Sequence, residues 1–155
     1  MKFVHWLTAL ATTVSVMLAA PAMAQEVRDT AREEANRKLV VDFYDKVFNQ
    51  HMVKEGAAVL TEDYKQHNPY VPDGKEPFVS YFTQYFKDNP EARTRVVRSA
   101  ADGDLVWLHN HSTQNPQDRG EAIVDIFRVK DGMIVEHWDV IQAVPETSAN
   151  ENTMF

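Results

Sequence analysis

The sequence contains no cysteine. Disulfides, thiol nucleophiles, thiolate metal sites and iron–sulfur clusters are therefore excluded. An exported fold without disulfides must be held by packing alone, which is feasible at this length. Basic residues are in the minority, 16 Lys and Arg against 23 Asp and Glu, for a net charge of −7. No basic cluster offers a footprint for a phosphate backbone, so nucleic acid is not an expected partner. Internal repeats and low-complexity linkers are missing too. After the N-terminus no further long apolar run occurs, so no membrane span is expected in the remainder.

What is present begins with MKFVHWLTALATTVSVMLAAPAMA. Lys2, a short apolar run and Ala22-Met23-Ala24 make a secretory signal with cleavage before Gln25. An uncleaved N-terminal anchor is the alternative. The expected mature chain is 25–155, periplasmic or secreted. Losing Lys2 takes its charge from −7 to −8. Residues 25–144 form one expected domain, and 145–155 a polar tail that is loose or docks on a partner.

Leu39, Val40, Phe43, Tyr44, Val47 and Phe48 recur at helical spacing, which predicts a helix within 26–51. A short helix is predicted for Val53 to Leu60. "TEDYKQHNPYVPDG" is punctuated by Pro69, Pro72 and Gly74 and reads as irregular or extended. A third helix is predicted from Lys75 to Lys87, with Pro77 in its first turn and an aromatic face of Phe78, Tyr81, Phe82, Tyr85 and Phe86. After Pro90 the period becomes two. Four strands follow, "TRVVRSAA", "LVWLHNHST", "EAIVDIFRV" and "MIVEHWDVIQ", joined by short connections that imply antiparallel neighbours. Helices first and a meander second predict an α+β domain, three helices packed on one face of a curved antiparallel sheet.

Alternation along the strands arranges the candidate residues. Trp107, His109, His111 and Thr113 share one face. Ile123, Asp125, Phe127 and Val129 share a face of the next strand, where Asp125 is a carboxylate in an apolar row. Burial would raise its pKa and a nearby imidazolium would lower it, the balance an acid/base group needs. If these two rows meet, they enclose two imidazoles, one carboxylate and aromatic walls, as a small-molecule site does. Trp138, with Glu136 and Val140, is expected to join them. His137 and Asp139 are expected on the opposite face, as surface or interface groups.

"YKQHNP", "HNHS", "VDIFRVKDGMIVEHWDVIQ" and the tail "VPETSANENTMF" resemble the SnoaL-like polyketide cyclase family, within the nuclear transport factor 2-like superfamily of cone-shaped α+β folds. The likeness spans nearly all of the mature chain. That fold hosts cyclases, isomerases, dehydratases and plain binding proteins, so it implies a layout and not one reaction. The resemblance implies that Asp125 is the acid/base of an aldol-type closure. It implies that His109 and His111 position the substrate and its enolate, and that Trp138 lines the cavity. Further candidates for substrate binding are His67, Asn68, Trp107, Phe127 and Tyr64. The expected function is cofactor-free proton transfer next to a carbonyl, as in cyclisation, isomerisation or dehydration, on a small-molecule substrate. Two other readings stand beside it: a non-catalytic module for an apolar ligand, and a zinc or iron site built from His67, His109, His111 and Asp125. A homodimer through the open sheet face is implied by resemblance.

Overall fold

The computed structural model describes residues 28–155. The predicted signal segment and its cleavage site before Gln25 lie outside the described residues. Helix α1, Thr30–Phe48, starts at Asp29, whose carboxylate accepts the backbone N–H of Arg32 at 3.0 Å. This bond satisfies one of the amides that the first helical turn leaves unpaired. The apolar stripe buries Val40, Phe43, Tyr44 and Val47. The second helix is shorter than predicted: α2 is Val53–Gly56, followed by a 3₁₀ turn over Ala57–Val59. Gly56 permits the close approach to α1, because a Cβ there would lie 2.5 Å from Val47 Cγ2.

The next segment adds a fifth strand to the four expected. Leu60–Gln66 is a strand, β1, the extended one of the two conformations that "TEDYKQ" allows. It pairs parallel with the last strand, through a register shift between Leu60 and Lys65. Its buried residues, Leu60 and Tyr64, are four apart and face the helices, so only two side chains in the segment signal burial. Helix α3, Lys75–Asp88, follows, and Asn89 closes it. The strands β2 (Arg93–Asp102), β3 (Leu105–Thr113), β4 (Glu121–Lys130) and β5 (Met133–Ala143) then form the meander. The sheet order is β1-β5-β4-β3-β2. The sheet is thus five-stranded and mixed, not closed, with the predicted antiparallel meander as its larger part.

The helices cover one face only. There Val106, Leu108, Phe127 and Ile134 are buried against α1 and α3. Phe43 meets Phe127 edge-on with ring centroids 5.8 Å apart, and Phe78 at the same separation. Burying aromatic rings of this size supplies much of a small domain's stability. The other face is open to solvent apart from the tail. The tail returns to its own sheet, where the Phe155 ring stacks on His111 with centroids 4.1 Å apart.

Candidate active site

Between the helices and the sheet lies a cavity of about 530 Å³. Its walls are the aromatic side chains of α1 and α3. Its sheet-side floor includes Ile123, Asp125 and Phe127 of β4 and His137, Asp139 and Ile141 of β5. Tyr64, Gln66 and Asn68 enter from β1 and the segment after it.

Asp125 is the centre of the polar floor and is 4% exposed. Its Oδ2 accepts the Tyr44 hydroxyl at 3.0 Å and the Asn110 amide at 2.6 Å. Its Oδ1 faces His137 Nε2 at 2.9 Å. Three elements, α1, β3 and β5, thus converge on one carboxylate of β4. Three donors replace the water that burial removed, which is the condition for keeping a charge in such a place. The Tyr44 phenol is pushed well above its ordinary pKa by burial, then by the Asp125 charge. It therefore stays protonated and donates. Asn110 turns its amide N–H to Asp125, and its buried Oδ1 finds no partner. An orphaned carbonyl costs about 1–3 kcal/mol, so this orientation is held by the carboxylate's demand for a donor.

His137 is buried as well, and its other nitrogen, Nδ1, lies 2.9 Å from Gln66 Oε1. Asp125 at Nε2 fixes the ring, as a carboxylate fixes an imidazole in hydrolytic triads. Asp139 completes the floor, and Asn68 Nδ2 donates to both of its oxygens at 3.0 and 2.9 Å. Asp125, His137 and Asp139 each offer a donor atom within 4.8 Å of the others. Among the described residues this is the group that a cation could share. Tyr64, buried beside them, has its phenol pKa raised well above the ordinary value by burial, then by Asp125 and Asp139.

The expected site residues divide between the two faces of the sheet. Asp125, Phe127, Tyr64 and Asn68 line the cavity. His109, His111, Trp107 and Trp138 do not; they stand on the outer face. On β3 it is Val106, Leu108 and Asn110 that are fully buried. The reason is register. Leu108 pairs with Asp125 and Asn110 with Ile123, so even positions of β3 share a face with odd positions of β4. His109 Nδ1 accepts from Arg98 at 2.7 Å, and His111 Nε2 donates to the Arg119 carbonyl at 2.8 Å. His109 has its pKa lowered by partial burial, then by the Arg98 charge.

A second register effect governs β5. Lys130 pairs with Met133 and Val129 with Ile134, a pattern that would bring Trp138 opposite Asp125. A β-bulge between Arg128 and Val129 shifts the pairing by one residue. Asp125 then pairs with Asp139 and Phe127 with His137, and Trp138 moves to the outer face. A one-residue slip exchanges every side chain between faces. His137 and Asp139, expected at the surface, thereby become floor residues. His67 joins Trp138 outside. Their rings stack with centroids 4.6 Å apart, and His67 Nε2 bonds Glu136 Oε1 at 2.8 Å. Arg128 lies over the opposite partner of this stack, 5.6 Å from the Trp138 ring centre. The metal set of His67, His109, His111 and Asp125 is therefore not assembled.

Tyr44, Gln66, Asn110, His137 and Asp139 were missed as site residues by the sequence reading. Two of the rows carried a usable signal. Asn110 follows Val106 and Leu108, and His137 and Asp139 lie between Val135 and Ile141. In both rows polar groups adjoin apolar ones on the same face, a weaker form of the feature that singles out Asp125.

A sheet wrapped on one side by N-terminal helices, with a polar floor at the base of an apolar cavity, is the nuclear transport factor 2-like cone. Solved structures of that kind share the fold. A candidate ketosteroid isomerase from Kribbella flavida aligns with TM-score 0.62 at 20% identity, over 79% of this chain and 89% of its own. A SnoaL-like protein of unknown function from Burkholderia thailandensis gives 0.61 at 14% identity, over 71% of this chain and 98% of its own. A candidate polyketide cyclase from Bacillus cereus gives 0.56 at 21% identity, over 69% and 74%. No curated protein sequence matches significantly. The sequence profile of the SnoaL-like domain matches residues 40–137. The chain belongs to the SnoaL-like domain family.

Proposed function

We propose that the cavity binds a small, largely apolar molecule and that its floor moves a proton at the carbon next to a carbonyl. Cyclisation, isomerisation and dehydration all begin with that step. The observation that carries this reading is the buried Asp125–His137 pair, side chains 6% and 8% exposed, in the floor of an aromatic-walled cavity. Asp125 holds Nε2–H of His137 and offsets the charge that develops on the ring. His137 Nδ1 takes the proton: with Nε2–H held by Asp125, Nδ1 carries the lone pair, the Gln66 amide beside it turns its N–H toward the ring, and the substrate displaces it. Asn68 and Tyr64 orient the carbonyl, and Phe127 lines the wall. Asn68, Tyr64 and Phe127 serve the substrate as expected from the sequence, whereas Asp125, expected to move the proton itself, acts here through His137. Residues of the chain alone supply this chemistry.

The test is proton exchange. An apolar cyclic ketone such as 2-tetralone is incubated with the protein in D2O, and loss of the α-proton signals is followed by NMR. The protein accelerates exchange above buffer, and His137→Gln abolishes the acceleration. Exchange that persists in His137→Gln defeats the assignment.

One observation favours a second reading, a binding module without turnover. Both nitrogens of His137 and both oxygens of Asp125 are already engaged by protein groups. A ketone that binds without any exchange establishes it. Export to the periplasm or medium belongs to the same proposal, on the strength of the N-terminal signal, and is checked by the mass of the secreted form. A homodimer through the outer face is supported by Val124 and Val140 there, 42% and 72% exposed. Light scattering decides it.

A further inference from the structure

We infer that the cavity selects a ligand carrying one positive charge, an apolar body with a single ammonium group, and that Asp139 receives it. The inference rests on the small-molecule reading above and names its ligand class. The charged groups around the cavity are Arg93, Glu121, Asp125, His137 and Asp139. They fall into two sets. Arg93 and Glu121 are exposed at the rim and offset each other. Arg93 is further occupied by the Ala92 carbonyl, at 2.6 Å. On the floor two carboxylates face one imidazole. Even with a protonated ring, the floor retains one negative charge.

That charge resides on Asp139. Asp125 is satisfied by Tyr44, Asn110 and His137. Asp139 has only the Asn68 amide nitrogen, shared between its two oxygens. An ionised carboxylate has about four acceptor sites, so protein groups leave most of the capacity of Asp139 unfilled, and the residue lines the cavity. Among the described residues its ion pairs are none, while Asp125 has His137. The walls suit the same ligand. Tyr44, Phe48, Phe78, Phe82 and Tyr85 line the cavity. Ring faces attract cations, the more so where water is excluded. A bare metal ion would leave most of a 530 Å³ space unfilled; an organic cation fills it and neutralises the floor.

The experiment compares three probes of one shape: 2-naphthylmethylamine, 2-naphthylmethanol and 2-naphthoate. Each is titrated calorimetrically into the wild-type protein near pH 7. The amine, protonated there, binds about tenfold tighter than the alcohol, and the carboxylate binds weakest. Asp139→Asn brings amine and alcohol to within about twofold of each other. Circular dichroism verifies the variant's fold, and the wild-type ranking stands as a test without it. An alcohol or carboxylate that binds as tightly as the amine overturns the inference. So does the failure of all three to bind, or an amine preference unchanged in Asp139→Asn. Zinc that binds the floor and expels the amine would assign the site to a metal instead. Binding is read without turnover, so the two proposals fail separately. Amine selectivity without ketone exchange removes the proton-transfer reading alone, and exchange without selectivity removes this one alone.

Discussion

Replacing Asp125 by asparagine separates its structural role from its chemical one. The amide is nearly isosteric, and one orientation satisfies every neighbour. Its carbonyl oxygen takes the place of Oδ2 and accepts from Tyr44 and Asn110, now at 3.0 and 2.6 Å. Its NH2 takes the place of Oδ1 and donates to His137 Nε2, now 2.9 Å away. His137 must then carry its proton on Nδ1 and donate it to Gln66 Oε1, 2.9 Å away. No donor is orphaned, so the stability loss is that of charge-assisted bonds made neutral, about 1–3 kcal/mol. The cost to chemistry is larger. The nitrogen that should accept the substrate's proton is already protonated. A carboxylate-to-amide change that fixes the wrong tautomer in this way lowers turnover by about 10⁴ in serine proteases, and a loss of about 10³–10⁴ is expected here. Asp125→Ala is the contrast. It leaves Tyr44, Asn110 and His137 without their buried acceptor, at about 3–5 kcal/mol. Urea denaturation and the D2O exchange assay, run on both variants, give the comparison. If Asp125→Asn is as unstable as Asp125→Ala, the hydrogen-bond accounting is wrong. If it exchanges the ketone at the wild-type rate, the tautomer argument is wrong.

Three further outcomes follow from the placement of residues on the two faces. His109→Gln and His111→Gln, singly, leave the exchange rate within about twofold, because both rings lie across the sheet from the floor; a large loss in the assay would restore them to the site. The depressed pKa of His109 means that the fold favours the neutral ring, whose ordinary pKa is 6.5. Its contribution to stability is present above that value and declines as pH falls below it, so urea midpoints measured on the acid side should fall less steeply in His109→Gln than in wild type. Gly120 sits at a positive φ of 76°, and an added Cβ would collide with the Ser112 carbonyl oxygen. Gly120→Ala is expected to cost about 1–3 kcal/mol in thermal or urea unfolding, and a neutral result would show that the β3–β4 loop can refold around it.

Much of the architecture follows from local pattern. The helical spacing in α1 and α3, the change to alternation after Pro90 and the turns at Gly103 and Gly132 placed the helices and the four meander strands. The strand β1 escaped because five of its seven residues are polar or charged and its partner is distant in sequence, Leu60 pairing with Ile134. Its parallel partner is chosen by tertiary contacts that no local window contains. The site was legible in one residue type at one position: a carboxylate in an apolar row marked Asp125 whatever lay opposite.

The sequence by itself determined which side chains alternate within each strand, and hence that Asp125 and Phe127 travel together and that His109 and His111 do. It did not determine which rows meet. That depends on the pairing of β3 with β4 and on the bulge between Arg128 and Val129, each of which changes strand parity by one residue. Because side chains alternate with a period of two, one residue of register is enough to exchange a whole row between cavity and solvent. Tertiary structure therefore placed Asn110, His137 and Asp139 around Asp125, and left His109, His111, Trp107 and Trp138 on the face that the helices never cover.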